Sequence, residues 1–186
     1  SWDQLLAGAD RTRASVQIDD ADGTGVSDWV VGLVSEAGGQ ILQGTGRTPK
    51  VGLDSDAGRV AAGLVQFYMS SGLGTGPSER ALSEFAGTRG AFLVARASAR
   101  TSREVLAIAG DMRPLRYPVI GGVSKSPVAA ASLAVPASSK NRRSAWAAIE
   151  CLTSAESQAE IMVNSGRGAA RWSVYQDADV RRVVPY

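Results

Sequence analysis

Short β-prone runs alternate with stretches of helical period from one end of the chain to the other, and this alternation constrains the fold more than any other feature of the sequence. Strand candidates fall at residues 16–18, at Ile41 and Leu42, at 51–53, at 91–95 and at 131–135, the last stopped by Pro136. Between them, apolar residues recur three and four apart. Val26, Trp29, Val30, Leu33, Val34 and Ala37 make the clearest stripe, which Gly38 and Gly39 end. Val60, Ala61, Leu64, Val65, Phe67 and Tyr68 make a second, opened by Asp54 or Ser55 as a cap. Strands that alternate with helices bury their apolar faces by packing helices onto a sheet, so the expected class is α/β, a mixed sheet flanked by helices.

Capping chemistry places the other helices. Ser1 with Gln4 forms a capping box, so the chain opens directly on a helix and reads as a segment excised from a longer protein. Ser139 or Asn141 caps a helix through Trp146, Ile149 and Leu152; Thr153 with Glu156 opens another that ends at Gly166. Shorter helices are expected at 81–85 and 98–109. The segments 19–25, 44–49, 70–77 and 121–127 are rich in Gly, Ser, Asp or Pro and read as loops, and 112–120 reads as an extended stretch broken by Pro114 and Pro118.

The chemistry available to the chain is narrow. It contains no histidine, which removes Ser-His-Asp and Cys-His catalysis and zinc sites with a histidine ligand. The one cysteine, Cys151, sits in an apolar helical run and reads as a small buried hydrophobe. A net charge of +2 in 186 residues, with the basic residues dispersed, offers neither nucleic acid nor an anionic membrane a footprint. Asp20, Asp22 and Gly23 do not complete a calcium loop, because aligning Gly23 with the turn glycine puts Ile18 and Trp29 at ligand positions. Gly72, Gly74 and Gly76 follow a helix, not a strand, and lack the Lys of a phosphate loop. Asp54 and Asp56 flank a helix start, where the dipole favours negative charge. An enzyme built on this chain would have to use Lys125 or Lys140 with nearby serines, and neither lysine lies in a Ser-x-x-Lys on a helix. No cofactor, no metal and no catalytic residue is expected. Two residues stay open on position alone: Trp29 is core by spacing yet follows a polar loop, and Arg167 could satisfy a helix end or present its donors to a ligand.

Read in order, several segments resemble the extracellular solute-binding proteins that serve sugar ABC importers. Ser1 to Leu6 is similar to that family's opening helix. Trp29 to Gly39 is similar to its helix ending in a double glycine, and residues 51–58 with 64–68 to a loop and helix that follow. Phe85, Ala86 and Gly87 with residues 89–92 resemble its entry to a strand. Residues 132–141 resemble its run "slaVpa-sskn", residues 145–154 its next helix, and 164–175 a late loop. The likeness is strongest to actinobacterial trehalose- and disaccharide-binding lipoproteins.

This resemblance implies a periplasmic-binding-protein-like lobe of type II over residues 1–186, the second of two lobes, with the first absent from the chain. It implies a non-catalytic, extracytoplasmic protein, lipid-anchored in its full form. Such a protein takes a sugar or similar polar small molecule into a cleft by hinge closure and hands it to the membrane subunits of an ABC importer. The ligand contacts it implies are Asp22, Thr24, Gly25, Trp29, Arg96, Ser98, Ala130, Ser132 and Arg167. The sequence departs from the family at a Trp near Arg96 to Ser98, at Gly-Gly near Ala129 and Ala130, and at a Pro near Gly168. Those departures give weight to an alternative, a protein-interaction module derived from such a lobe.

Overall fold

Strand β1 (Val16–Asp19) is buried on both faces, with Val16, Gln17 and Ile18 all at or below 5% exposure, and the first half of the chain is arranged around it. A strand covered on both sides is the signature of a parallel sheet with helices packed against it. The computed structural model describes residues 1–44, 48–88, 91–122, 127–128 and 130–184. The backbone divides into two compact units, residues 1–96 with 107–129 and residues 97–106 with 130–186.

In the first unit α1 (Trp2–Thr12) opens on the expected box: the Ser1 hydroxyl accepts from the Gln4 amide and the Ser1 amine donates to the Gln4 side chain. After β1 come α2 (Gly25–Glu36), the antiparallel ribbon β2 (Leu42–Gln43) and β3 (Lys50–Val51), and α3 (Asp56–Ser71), which Ser55 caps through the Gly58 amide. Next are β4 (Pro77–Ser78), α4 (Ala81–Gly87) and β5 (Phe92–Val94). The sheet runs β4-β1-β5 and is parallel throughout, so the antiparallel component of the expected mixed sheet is confined to the separate ribbon.

Trp2 and Leu6 of α1, Trp29, Leu33 and Val34 of α2, and Ala61 and Tyr68 of α3 close over β1. Trp29 meets Tyr68 edge-on at 5.3 Å between ring centres, and Trp2 meets Tyr117 at 5.5 Å, within the range where tilted aromatic pairs attract. The extended stretch after α5 (Arg103–Ala107) is tied down by Tyr117 and by the Val119 carbonyl, which accepts from the Trp2 amide.

A close contact in this core is at Gly74. The Tyr68 hydroxyl donates to the Val16 carbonyl at 2.9 Å, and the Val16 amide donates to the Leu73 carbonyl at 2.8 Å. A Cβ at Gly74 would lie 2.3 Å from that Val16 oxygen and 2.4 Å from the Tyr68 oxygen, so only glycine lets the chain pass.

The second unit is helical: a 3₁₀ turn (Ala97–Thr101), most of α5, α6 (Arg142–Leu152), α7 (Ala155–Ser165), a second 3₁₀ turn (Trp172–Gln176) and α8 (Ala178–Val183). Its own small core joins Met162, Val174, Val180 and Val184.

Here the sequence expectations need correction. Residues 131–135 join no described sheet; β-branched and apolar residues make a strand only where a neighbouring strand takes up their backbone groups. The expected helix over 98–109 is divided into a 3₁₀ turn and α5. The cap of α7 is Ser154, whose hydroxyl accepts from the Ser157 amide, because the Thr153 hydroxyl is engaged with the Ile149 carbonyl of the preceding helix. Cys151 is exposed, since α6 buries none of its residues. The middle of the 44–49 turn, the Arg89-Gly90 pair, Lys125 and Ala129 lie outside the described residues.

Substituting Gly74→Ala is expected to cost about 1–3 kcal/mol by overpacking. Gly63→Ala, in α3 where an added Cβ meets nothing within 4 Å, is expected to gain about 0.5–1 kcal/mol. Thermal unfolding followed by circular dichroism checks both, and equal effects at the two positions would contradict the packing described.

Candidate functional site

Parallel strands point their carboxyl ends the same way, and in open α/β sheets ligands bind beyond those ends. Register pairs Ile18 with Val94, so the loop after β1 and the residues after β5 leave the sheet side by side. Arg96 follows β5 by two residues, and its guanidinium reaches across to the β1–α2 loop. Its Nε donates to Asp28 Oδ2 at 2.7 Å, one terminal nitrogen donates to Asp22 Oδ2, and the other to the Thr24 hydroxyl. Three acceptors from one loop and helix turn thus converge on the planar fork that Arg alone presents.

The loop is built to hold those acceptors. Asp22 Oδ1 accepts from the Thr24 amide at 3.0 Å and from its hydroxyl at 2.8 Å, and Asp20 Oδ1 accepts from the Val26 amide at the open start of α2. Gly25 begins α2 where a Cβ would stand 1.7 Å from the Asp19 carbonyl oxygen. Its lack of a side chain lets the helix start directly against the end of β1. The Thr24 hydroxyl and amide, with Arg96 beyond them, hold the Asp22 carboxyl below its ordinary value, and the Asp28 carboxylate holds the Arg96 guanidinium above its own. Arg96 and both carboxylates stay part-exposed, so the cluster is open to solvent and to a solute.

The structure therefore gathers Asp22, Thr24, Gly25 and Arg96, which the sequence singles out separately. It adds Asp28, which the sequence analysis misses; the only signal for it was its place on the first turn of α2, four residues after Thr24. Trp29 is a correction. At 3% exposure, with rings of Trp2 and Tyr68 against it, it is core, as its spacing indicates, and has no open face for a ligand. The other expected contacts belong to the second unit. Ser98 lies in its first 3₁₀ turn, Ala130 and Ser132 in the exposed run after residue 129, and Arg167 just beyond Gly166, the left-handed cap of α7. Among the described residues no group of three His, Cys, Asp or Glu could hold a metal, and no helix is long and apolar enough to cross a membrane.

No protein-family model matches this chain, and no curated protein does. A solved structure does: the GacH receptor of Streptomyces glaucescens, solved unliganded and in complex with acarbose and an acarbose homologue. The superposition has a TM-score of 0.65 at 20% identity over 90% of this chain. The two share a fold. It is an α/β fold, as the order of strands and helices implies, and the fold expected from the resemblance to solute-binding proteins. The chain spans 43% of that receptor's length.

Two outcomes check the geometry. The Thr24 amide shift in ¹⁵N NMR is expected to titrate with a midpoint below 3.8, the ordinary Asp value. Because that carboxyl is depressed in the folded state, its contribution is complete above the unfolded value and is lost as pH falls through the lower, folded one. Gly25→Ala is expected to lower stability by about 1–3 kcal/mol by driving a methyl group into the Asp19 carbonyl, read as a fall in the urea midpoint.

Proposed function

We propose that this chain is a lobe of a solute-binding protein that takes up a sugar or similar neutral, hydroxyl-rich molecule for an ABC importer. The observation that carries the reading is the Arg96, Asp22, Thr24 and Asp28 cluster, standing beyond the carboxyl ends of parallel strands in a fold shared with a sugar-binding receptor. Carboxylates have more lone pairs than one guanidinium uses, so Asp22 and Asp28 can accept from ligand hydroxyls while Arg96 holds them in place. In this reading the array binds without chemistry, the Thr24 hydroxyl serving to hold Asp22 and to meet Arg96.

The chain is the second lobe, a first lobe faces it across the ligand, and closure is selected because only the closed form lets both lobes touch the solute. The protein is extracytoplasmic and lipid-anchored, and it delivers to the importer's membrane subunits. One lobe supplies part of the contacts, so its own affinity falls in the millimolar range, on the order of −4 kcal/mol.

A second reading has its own support. Helix α6 buries no residue and leaves Trp146 and Leu152 more than half exposed, a feature that suits a protein-interaction module derived from a solute-binding lobe.

Saturation-transfer NMR of the chain with acarbose and with maltose separates the two. Transfer to sugar protons, falling about tenfold or more in affinity in Arg96→Ala, is the expected result, since bonds to charged groups contribute about 1.5–3 kcal/mol. No transfer from either sugar at tens of millimolar would favour the module.

A further inference from the structure

Asp22 is followed by Gly23, the one Asp-Gly pair in the sequence, and the pair stands in the β1–α2 loop against Arg96. We infer that Asp22–Gly23 is a self-modification site, at which the backbone closes a succinimide and reopens as isoaspartate, and that the Arg96 fork is its lock. The inference does not depend on the sugar-binding reading.

An aspartyl carboxyl is open to attack by the amide nitrogen of the residue that follows it. Here the Gly23 nitrogen bonds to Asp22 Cγ, while the amide proton, the carboxyl proton and one carboxyl oxygen leave as water, and a five-membered imide closes. Water then adds back at one of the two imide carbonyls. Opening at Cγ restores aspartate. Opening at the Asp22 backbone carbon leaves the chain running through the β-carbon, with a free carboxylate on Cα. The atoms balance without any co-reactant. Every other aspartate in the sequence precedes a residue with a side chain, which crowds that nitrogen. Gly23 has none, and even an added Cβ would meet nothing within 4 Å, so the approach is open. The Asp22 side chain is 54% exposed, so water reaches the imide.

In the folded chain both reacting groups are held elsewhere. The Gly23 amide donates to the Asp20 carbonyl at 3.0 Å, which retains the proton that the attack must shed. Asp22 Oδ1 accepts from the Thr24 amide at 3.0 Å and from its hydroxyl at 2.8 Å, and Oδ2 accepts from Arg96. Arg96 is fixed in turn by Asp28 and by the Thr24 hydroxyl. Charge-assisted bonds of this kind are strong, and they favour the ionised carboxyl, which lacks the proton needed to expel water. The Thr24 donors, and then Arg96, hold the Asp22 carboxyl below its ordinary value accordingly. Attack requires the carboxyl to leave all three donors. The product cannot return to them, because isoaspartate adds a methylene to the chain and shortens the carboxylate arm by one carbon. The Arg96 cluster and the isomerised loop therefore exclude each other, and the reaction takes the cluster apart from within.

The test incubates the wild-type chain, Arg96→Ala and Thr24→Val at neutral pH and body temperature for several weeks. Isoaspartate is quantified by isoaspartyl methyltransferase with labelled S-adenosylmethionine and placed in the sequence by electron-transfer fragmentation. The wild type is expected to form little at position 22. Arg96→Ala is expected to form it about tenfold faster or more, the rate equivalent of hydrogen bonds to a charged group. Thr24→Val, which leaves the ion pairs in place, is expected to accelerate it as well and provides the comparison if Arg96→Ala unfolds. Denaturing urea, which frees the carboxyl from every donor, is expected to bring the wild type to the rate of Arg96→Ala or beyond. Asp22→Glu, which would need a six-membered ring, is expected to form none there under any of these conditions. Wild-type isomerisation at position 22 as fast in buffer as in urea overturns the lock, and so does a rise in both variants that Asp54–Ser55, in another loop, matches. No isoaspartate at position 22 even in urea overturns the site itself.

Discussion

Everything in the first unit leans on the carbonyl of Val16. That oxygen accepts the Tyr68 hydroxyl, and the space beside it is shaped by the glycine that follows α3. Through it the middle strand is joined to the longest helix at a sequence distance of 52 residues. A buried carbonyl without a donor costs on the order of 1–3 kcal/mol. Here the donor comes from a tyrosine whose own ring packs edge-on against Trp29, so hydrogen bonding and aromatic packing specify the same arrangement. Agreement of that kind between local and long-range preferences is what gives a sequence one structure. The position of β1 then fixes both neighbours, and with them the place where the loops leave the sheet.

Much of this was legible in the sequence because the signals are local. The Ser1 box, the Ser55 cap, the stripe from Val26 to Val34 and the glycine at the end of α7 are decided within a few residues, and the structure has them where the pattern puts them. What was not legible depends on distant partners. Pro77 and Ser78 form a strand only because β1 lies alongside, and residues 131–135 fail to form one because no described strand does. Thr153 and Ser154 are both competent caps, and the choice turns on the hydroxyl of Thr153 being drawn back to the previous helix. Cys151 was misjudged for the same reason: an apolar helical run is buried only if something covers it.

The candidate site divides along the same line. Asp22, Thr24 and Arg96 were each marked by family resemblance, but nothing in the spacing of residues 22 and 96 says that they touch. Asp28 went unnoticed because an acidic residue in a first helical turn has an ordinary explanation in the helix dipole. In the folded chain it has a second role, as a partner of Arg96. Trp29 was core by its spacing and a ligand contact only by resemblance, and its burial decides for the core. Polar clusters and bare rings are properties of surfaces, and a surface exists only after the chain has closed.

Gly25 bears on how such a protein changes over generations. The route of the loop from Asp19 is set by the missing methyl group at Gly25 and by the left-handed turn at Gly23, whereas Ala21, Asp22 and Thr24 project exposed side chains. Selection can therefore exchange those side chains for new solutes on an unaltered frame, with position 25 confined to one amino acid while its neighbours drift.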